Sequence, residues 1–400
     1  VCDVVGYKKD QEGHVIPIPG RLIYRGVDIN EIVNEAYRND RFVFEEVIWL
    51  LLFGSLPTRE QLDDFCDILA EHRALPEGFM DTMNAPSPNV MNKLQRCVLG
   101  LYSYDDRAED LSLENILNQS INLIASMPTM MVNAYQMKRR YYDKQSMFFH
   151  LPKPGQSTAE HILSTYRPDQ KFTHEEAKLL DMCLLVHADH GGGNCSTFTT
   201  RVLSSSGTDT YSAIAAAIGA LKGPKHGGAN LKVMHQLDYI LANVEHPEDD
   251  GEVREMLRKI IRKEAGDGSG LIYGMGHAVY SLSDPRAQIF RGFVKRLSAE
   301  KGYEKEFALY TAVERLAPQI IAAERKIYKG VSPNVDFFSG FAYSMLGLPV
   351  ELYTPIFAIA RIAGWSAHRL EEVAGGGKIM RPAYKNVGEH KIYVPMDERV

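Results

Sequence analysis

The spacing of apolar residues predicts a chain built mainly from α-helices. In "FEEVIWLLLFGSLPTREQLDDFCDILAEH" one apolar helix stops at Gly54 and Pro57, and Thr58 caps a second whose Leu62, Phe65, Ile68 and Leu69 share a face. The pair reads as a helical hairpin. Pro86 and Pro88 mark a break before "VMNKLQRCVLGLYSYD", and Pro128 is expected to start or kink the helix through Tyr135 and Met137. Residues 139–172, rich in aromatics, prolines and charges, read as connecting turns and short helices. Next, "THEEAKLLDMCLLVHADH" opens on a Thr173/Glu176 capping box and is apolar on nearly every side, the pattern of a buried helix. It delivers His187 and His190 to "GGGN". Alanine-rich "DTYSAIAAAIGAL" is a close-packing helix ended by Gly223 and Pro224.

From there to Gly347 the pattern changes to charged amphipathic helices around the glycine-rich "GDGSGLIYGMGH". This places a smaller domain at 228–347, between a large helical domain begun by 1–227 and completed by 348–400. Strand patterning is confined to the N-terminal "HVIPIPGRLIYRG" and to "HKIYVP" near the other end. The fold class is therefore mainly α, with a short N-terminal extended segment.

Length supports two structural bodies, since 400 residues exceed what one small core organises. A net charge of -6 argues against a nucleic-acid partner, because phosphate binding needs a clustered basic excess. The longest apolar runs, "VIWLLLF" and "AIAAAIGAL", are buried-helix material and too short to span a bilayer. The five cysteines, Cys2, Cys66, Cys97, Cys183 and Cys195, are scattered with no C-x-x-C pair, which is reducing-compartment usage and predicts a cytoplasmic location. Asn118 and Asn194 match the glycosylation pattern only as chance would supply it. Opening on Val1 with strand-like sequence close behind, the chain reads as processed, trimmed or incomplete at this end.

Candidate chemistry is spread over three segments. "GPKHGGAN", "GMGHAVYSLSDPR" and "SPNVDFFSG" supply His226, His277 and Asp336, two imidazoles and a carboxylate in glycine- and proline-marked settings. Singly, each histidine reads as a turn residue and Asp336 as a helix cap; together they form a proton-transfer set. His187 and His190 lie three apart, but no third and fourth ligand follow at useful spacing, so no metal is expected. In "SDPRAQIFRGFVKRL" Asp284 suits the N-cap and Pro285 the first helical position, which puts Arg286 in a first turn where free N–H groups and a planar fork favour a carboxylate. Arg361 and Arg381 could complete a dicarboxylate site. Neither "GDGSGLIYGMGH" nor "GGGK" at 375–378 is a phosphate loop, since the Lys-Ser/Thr ending is missing.

These segments, with "LIYRGVDI", "HADHGGGNCST", "ARIAGW" and "KIMRPAY", occur in an order and spacing that resembles citrate synthase across essentially the whole chain. The resemblance implies a citrate synthase-like two-domain helical fold and an acyltransferase that condenses acetyl-CoA with oxaloacetate and hydrolyses citryl-CoA, the first step of the tricarboxylic acid cycle. It implies His226, His277 and Asp336 as catalytic residues. Asp336 would take a proton from the acetyl methyl group, His226 would hydrogen-bond the enol or enolate, and His277 would polarise the ketone and protonate the new alcohol. His190, Arg286, Arg361 and Arg381 match the oxaloacetate ligands, Arg381 reaching a neighbouring subunit's site, so the family relationship implies a homodimer. Backbone from Ile272 to Gly274 and the Asn334 side chain carry over as CoA contacts. Where many relatives have a basic residue after "GH-x-V-x", this chain has Ser281, which makes Lys225 and Lys378 the candidates for the CoA phosphates. No cofactor is called for, acetyl-CoA being a substrate. The rivals are 2-methylcitrate synthase, which differs by one methylene in an apolar pocket worth about 1–3 kcal/mol, and a non-catalytic acyl-CoA or dicarboxylate sensor, which predicts the loss of a catalytic residue where none is missing.

Overall fold

The computed structural model describes residues 1–326 and 330–399. The chain opens on a three-stranded antiparallel sheet in the order β1 (Cys2–Lys9), β2 (Val15–Tyr24), β3 (Val27–Asp28). The expected extended segment is thus β2, and "CDVVGYKK" pairs with it as a hairpin partner that its weak alternation did not announce. The first helices are α1 (Ile29–Arg38), α2 (Phe44–Phe53), α3 (Arg59–Glu71), α4 (Phe79–Met83) and α5 (Val90–Leu101). Then come α6 (Leu113–Tyr141), α7 (Thr158–Tyr166), α8 (His174–His187), α9 (Cys195–Ser205) and α10 (Thr210–Leu221). The remainder are α11 (Ala229–Asn243), α12 (Asp250–Ile261), α13 (Pro285–Lys301), α14 (Glu304–Arg325), α15 (Asp336–Met345) and α16 (Tyr353–Ala374).

Local sequence sets most boundaries. α2 ends where Gly54 turns left-handed at φ 84° and returns its N–H to the Leu50 carbonyl. Capping boxes at Thr58/Gln61 and Thr173/Glu176 start α3 and α8. Pro128 neither starts nor ends a helix: α6 begins fifteen residues earlier under a Ser112 cap and runs on to Tyr141. The buried packing of this face outweighs the backbone hydrogen bond that proline removes. The expected strand "HKIYVP" does not form. Residues 389–395 are exposed irregular backbone and join no sheet among the described residues.

Helix α16, buried along most of its length, is the axis of the main core and packs against α2, α6, α8, α9 and α10. Helices α11 to α15 pack chiefly on one another, α12 along α14 and α15 against α11 and α13. α13 and α15 also touch α8, so the end of α8 lies where the two groups of helices meet. The small sheet seals that junction. Tyr24 in β2 donates its hydroxyl to the Leu185 carbonyl at 3.0 Å, and Tyr280 donates to the Arg21 carbonyl at 3.0 Å. A side chain at Gly20 would place its Cβ 2.2 Å from the Ser283 carbonyl oxygen, so glycine is required for β2 to lie against the His277 loop.

Candidate active site

His277 sits in an irregular loop with Gly274 and Gly276 at φ 76° and 95°. A Cβ at Gly274 would meet Val233 and Phe337 within 3.0 Å, so the loop runs tight against α11 and α15. The main-chain N–H groups of Val279 and Tyr280 both donate to His277 Nδ1 at 3.1 Å. A nitrogen accepting two main-chain N–H groups carries no proton, which puts the ring proton on Nε2. The ring stacks on Tyr280 at 4.8 Å and meets His190 edge-on at 5.0 Å.

His226 lies in the turn between α10 and α11. The Ser196 N–H donates to its Nε2 at 3.4 Å, and the Ser196 hydroxyl lies 2.9 Å from the same atom while accepting from Trp365 Nε1 at 3.2 Å. The main-chain donor assigns the His226 proton to Nδ1. Burial, then the charge of Arg361, lowers the His226 imidazole to about 4. Burial, then Arg286, does the same to His277. Both rings are neutral hydrogen-bond donors at physiological pH. His190, at the end of the α8 segment, is held well below the ordinary imidazole range by burial and then Arg286. Its Nε2 is shut off from solvent without a hydrogen-bond partner among the described residues.

Asp336 is the first residue of α15. It is not the cap, a position that Val335 occupies; Asn334 Oδ1 accepts the Asp336 N–H instead. Its Oδ1 has no partner among the described residues. Burial is the largest influence on this carboxyl and raises it to about 6, with Arg286 and Arg361 pulling the other way and Asp284 adding to the rise. A carboxylate so placed is ionised at neutral pH yet unusually basic.

The arginines differ. Arg286 lies in the first turn of α13, and its Nε and Nη2 grip Asp284 at 3.0 and 2.7 Å, so one edge of the fork is already spent on the helix cap. Arg361, 1% exposed, uses Nε on the His187 carbonyl at 2.7 Å, lies over the Phe357 ring at 4.7 Å, and has no carboxylate partner among the described residues. A buried cation without an anion is costly, and its terminal nitrogens are available to a ligand that brings one. Arg381 is exposed, in the irregular C-terminal segment after α16. Lys225 and Lys378 are exposed, Ile272 is buried, and the Asn334 side chain is engaged by its own protein through Oδ1 and Nδ2.

Ser196, Tyr280, Phe357 and the Asp284 side chain touch the candidate residues without having been singled out for that place from sequence. Ser196 and Tyr280 adjoin the motifs "GGGN" and "GHAV", and that adjacency was the available signal; Phe357, one turn before Arg361, had none. Behind the site, His368 and Asp189 are paired at 3.1 Å and fully enclosed.

A helical protein with two neutral imidazole donors, a basic carboxylate and a buried unpaired guanidinium is built for acid–base chemistry on an anionic substrate. The profile of the family described as "Citrate synthase, C-terminal domain" matches residues 5–383, and the chain belongs to the citrate synthase family. It is 36% identical to the citrate synthase of Synechocystis sp. over 98% of this chain and 91% of that one. With 2-methylcitrate synthase 1 of Corynebacterium glutamicum the identity is 34%, over 96% of this chain and 94% of the relative. Among solved structures, citrate synthase from Thermoplasma acidophilum, in a ternary complex with carboxymethyl coenzyme A and oxaloacetate, aligns with a TM-score of 0.80 at 28% identity, covering 98% of this chain and 95% of that one.

Proposed function

We propose that the protein condenses acetyl-CoA with oxaloacetate and hydrolyses the resulting citryl-CoA to citrate and CoA. The observation that carries this reading is the grouping of Arg361, buried with no anion of its own, with Asp336, His226 and His277 in protonation states suited to enolisation. A thioester α-carbon is a weak acid, so a carboxylate base needs the developing oxyanion to be stabilised in a dry, preorganised site. Asp336 takes the methyl proton. His226 donates from Nδ1 to the enolate oxygen as it forms. His277 donates from Nε2 to the ketone of oxaloacetate, polarises it, and delivers the proton as the new C–C bond forms. Arg361, the free edge of Arg286, and His190 hold the oxaloacetate carboxylates and carbonyl.

The reading extends to a homodimer in the cytoplasm, each chain lending Arg381 to its partner's site, acting at the first step of the tricarboxylic acid cycle. Residues 228–347 close as a smaller domain over the bound substrates and exclude water. Ile272, Gly274 and the exposed Lys225 and Lys378 lie on the CoA side. The test is release of free thiol by purified protein given oxaloacetate with either acetyl-CoA or propionyl-CoA. The expected outcome is a kcat/KM ratio in favour of acetyl-CoA. A preference for propionyl-CoA would move the assignment to 2-methylcitrate synthesis, and no thiol release with either would remove the condensation reading.

A further inference from the structure

Three backbone and side-chain bonds converge on one residue between the catalytic segments. The Asn334 N–H donates to the Gly274 carbonyl at 2.9 Å, its Nδ2 donates to the Gly276 carbonyl at 2.9 Å, and its Oδ1 accepts the Asp336 N–H at 3.0 Å. The Gly276 N–H returns to the Ser332 carbonyl at 2.8 Å, and Met275 and Pro333 form an isolated antiparallel bridge. Gly276 immediately precedes His277. Without this clip, the His277 loop, left-handed at Gly274 and Gly276, has little regular structure to fix it, and α15 begins with no side-chain cap from the N-cap position.

We propose that Asn334 is a positioning residue that holds the His277 loop and the Asp336 carboxylate in one fixed relation. This rests on the condensation reading above and assigns Asn334 a task in the protein rather than on the thioester. Its amide is suited to the task because it offers a donor and an acceptor at once. Aspartate keeps the acceptor and loses the donor, and alanine loses both. Asp336 feels Arg286, Asp284 and Arg361, so a carboxylate at 334 adds a like charge to that set and makes Asp336 harder to ionise.

The experiment measures thiol release, both KM values and the pH profile of kcat for wild type, Asn334→Ala and Asn334→Asp. Misplacement of a catalytic group by about 1 Å costs roughly 100-fold. Asn334→Ala is therefore expected to lose about that much in kcat with both KM values little changed. Asn334→Asp should lose less and shift the acid limb of its profile to higher pH. A folded Asn334→Ala with wild-type kcat would overturn the proposal, as would a loss confined to the KM for acetyl-CoA, which would make Asn334 a thioester contact. If Asn334→Ala does not fold, the kcat of Asn334→Asp on the plateau above its acid limb decides: a loss with both KM values kept supports the clip, and a wild-type plateau overturns it. Absence of thiol release by wild type would instead sink the condensation reading.

Discussion

Helix α16 carries two buried arginines eight residues apart that live under opposite rules. Arg369 is fully buried and every nitrogen of its fork is met by protein: Nε by Thr210, Nη1 by Ser204 and Nη2 by the Thr208 carbonyl. Arg361 is equally enclosed but, among the described residues, spends only Nε on protein. Two carboxylates repeat the contrast. Burial alone would raise Glu176, but hydrogen bonds from Arg167 and Lys301 outweigh it and hold the group at about 2. Asp336 has no such partners and is pushed up to about 6. Glu176 and Arg369 are thus met by protein, while Asp336 and Arg361, near the junction of α8, α13, α15 and α16, are left short, which suits binding and proton transfer.

The largest effect that can break this comparison is on Asp336. Asp336→Ala is expected to lower kcat by roughly 10²–10⁴-fold, the usual contribution of a general base, while calorimetry still detects oxaloacetate binding. Loss of binding with the rate would make Asp336 a scaffold carboxylate. Next, Arg361→Gln should raise the oxaloacetate KM by roughly 10–150-fold, the equivalent of about 1.5–3 kcal/mol for a hydrogen bond to a charged group, with little loss of thermal stability. Arg369→Leu should do the reverse, costing about 2–4 kcal/mol in denaturant unfolding by removing the donors to the Ser204 and Thr210 hydroxyl oxygens and the Thr208 carbonyl, with the KM unchanged.

The smallest effect is at Glu176. Because its folded carboxyl lies below the ordinary value, it contributes stability that is present at neutral pH and lost as pH falls from about 4.5 towards 2. Glu176→Gln should lower Tm by a few degrees at pH 7, with the difference from wild type shrinking in acid and kcat unaffected. A Tm difference independent of pH would show that the ion cluster is not what Glu176 contributes.

Helical periodicity and caps made the scaffold readable: the boxes at Thr58 and Thr173, the Asp284 cap and the stop at Gly54 are local signals, and each acts where its residues stand. A helix start at Pro128 and a strand at "HKIYVP" were misjudged: the first lies inside a long buried helix, and the second is exposed backbone that forms no strand. The catalytic candidates were legible as residue types in marked motifs. Their protonation states were not, since the proton on His277 is placed by the N–H groups of Val279 and Tyr280, and that on His226 by Ser196, thirty residues away. Long-range hydrogen bonds of this kind leave no periodic trace in a sequence.

The most direct test of the central claim, a base made strong by being left short of partners, is the pH dependence of kcat/KM for thiol release, which reports the groups of the unliganded enzyme. The account predicts a single acid limb near pH 6 from Asp336, with activity falling tenfold per unit below it as the carboxylate is protonated. Neither His226 nor His277 adds a limb near neutrality, because burial holds both rings at about 4. A limb at the ordinary carboxylate value, or one that persists in Asp336→Ala, would contradict it.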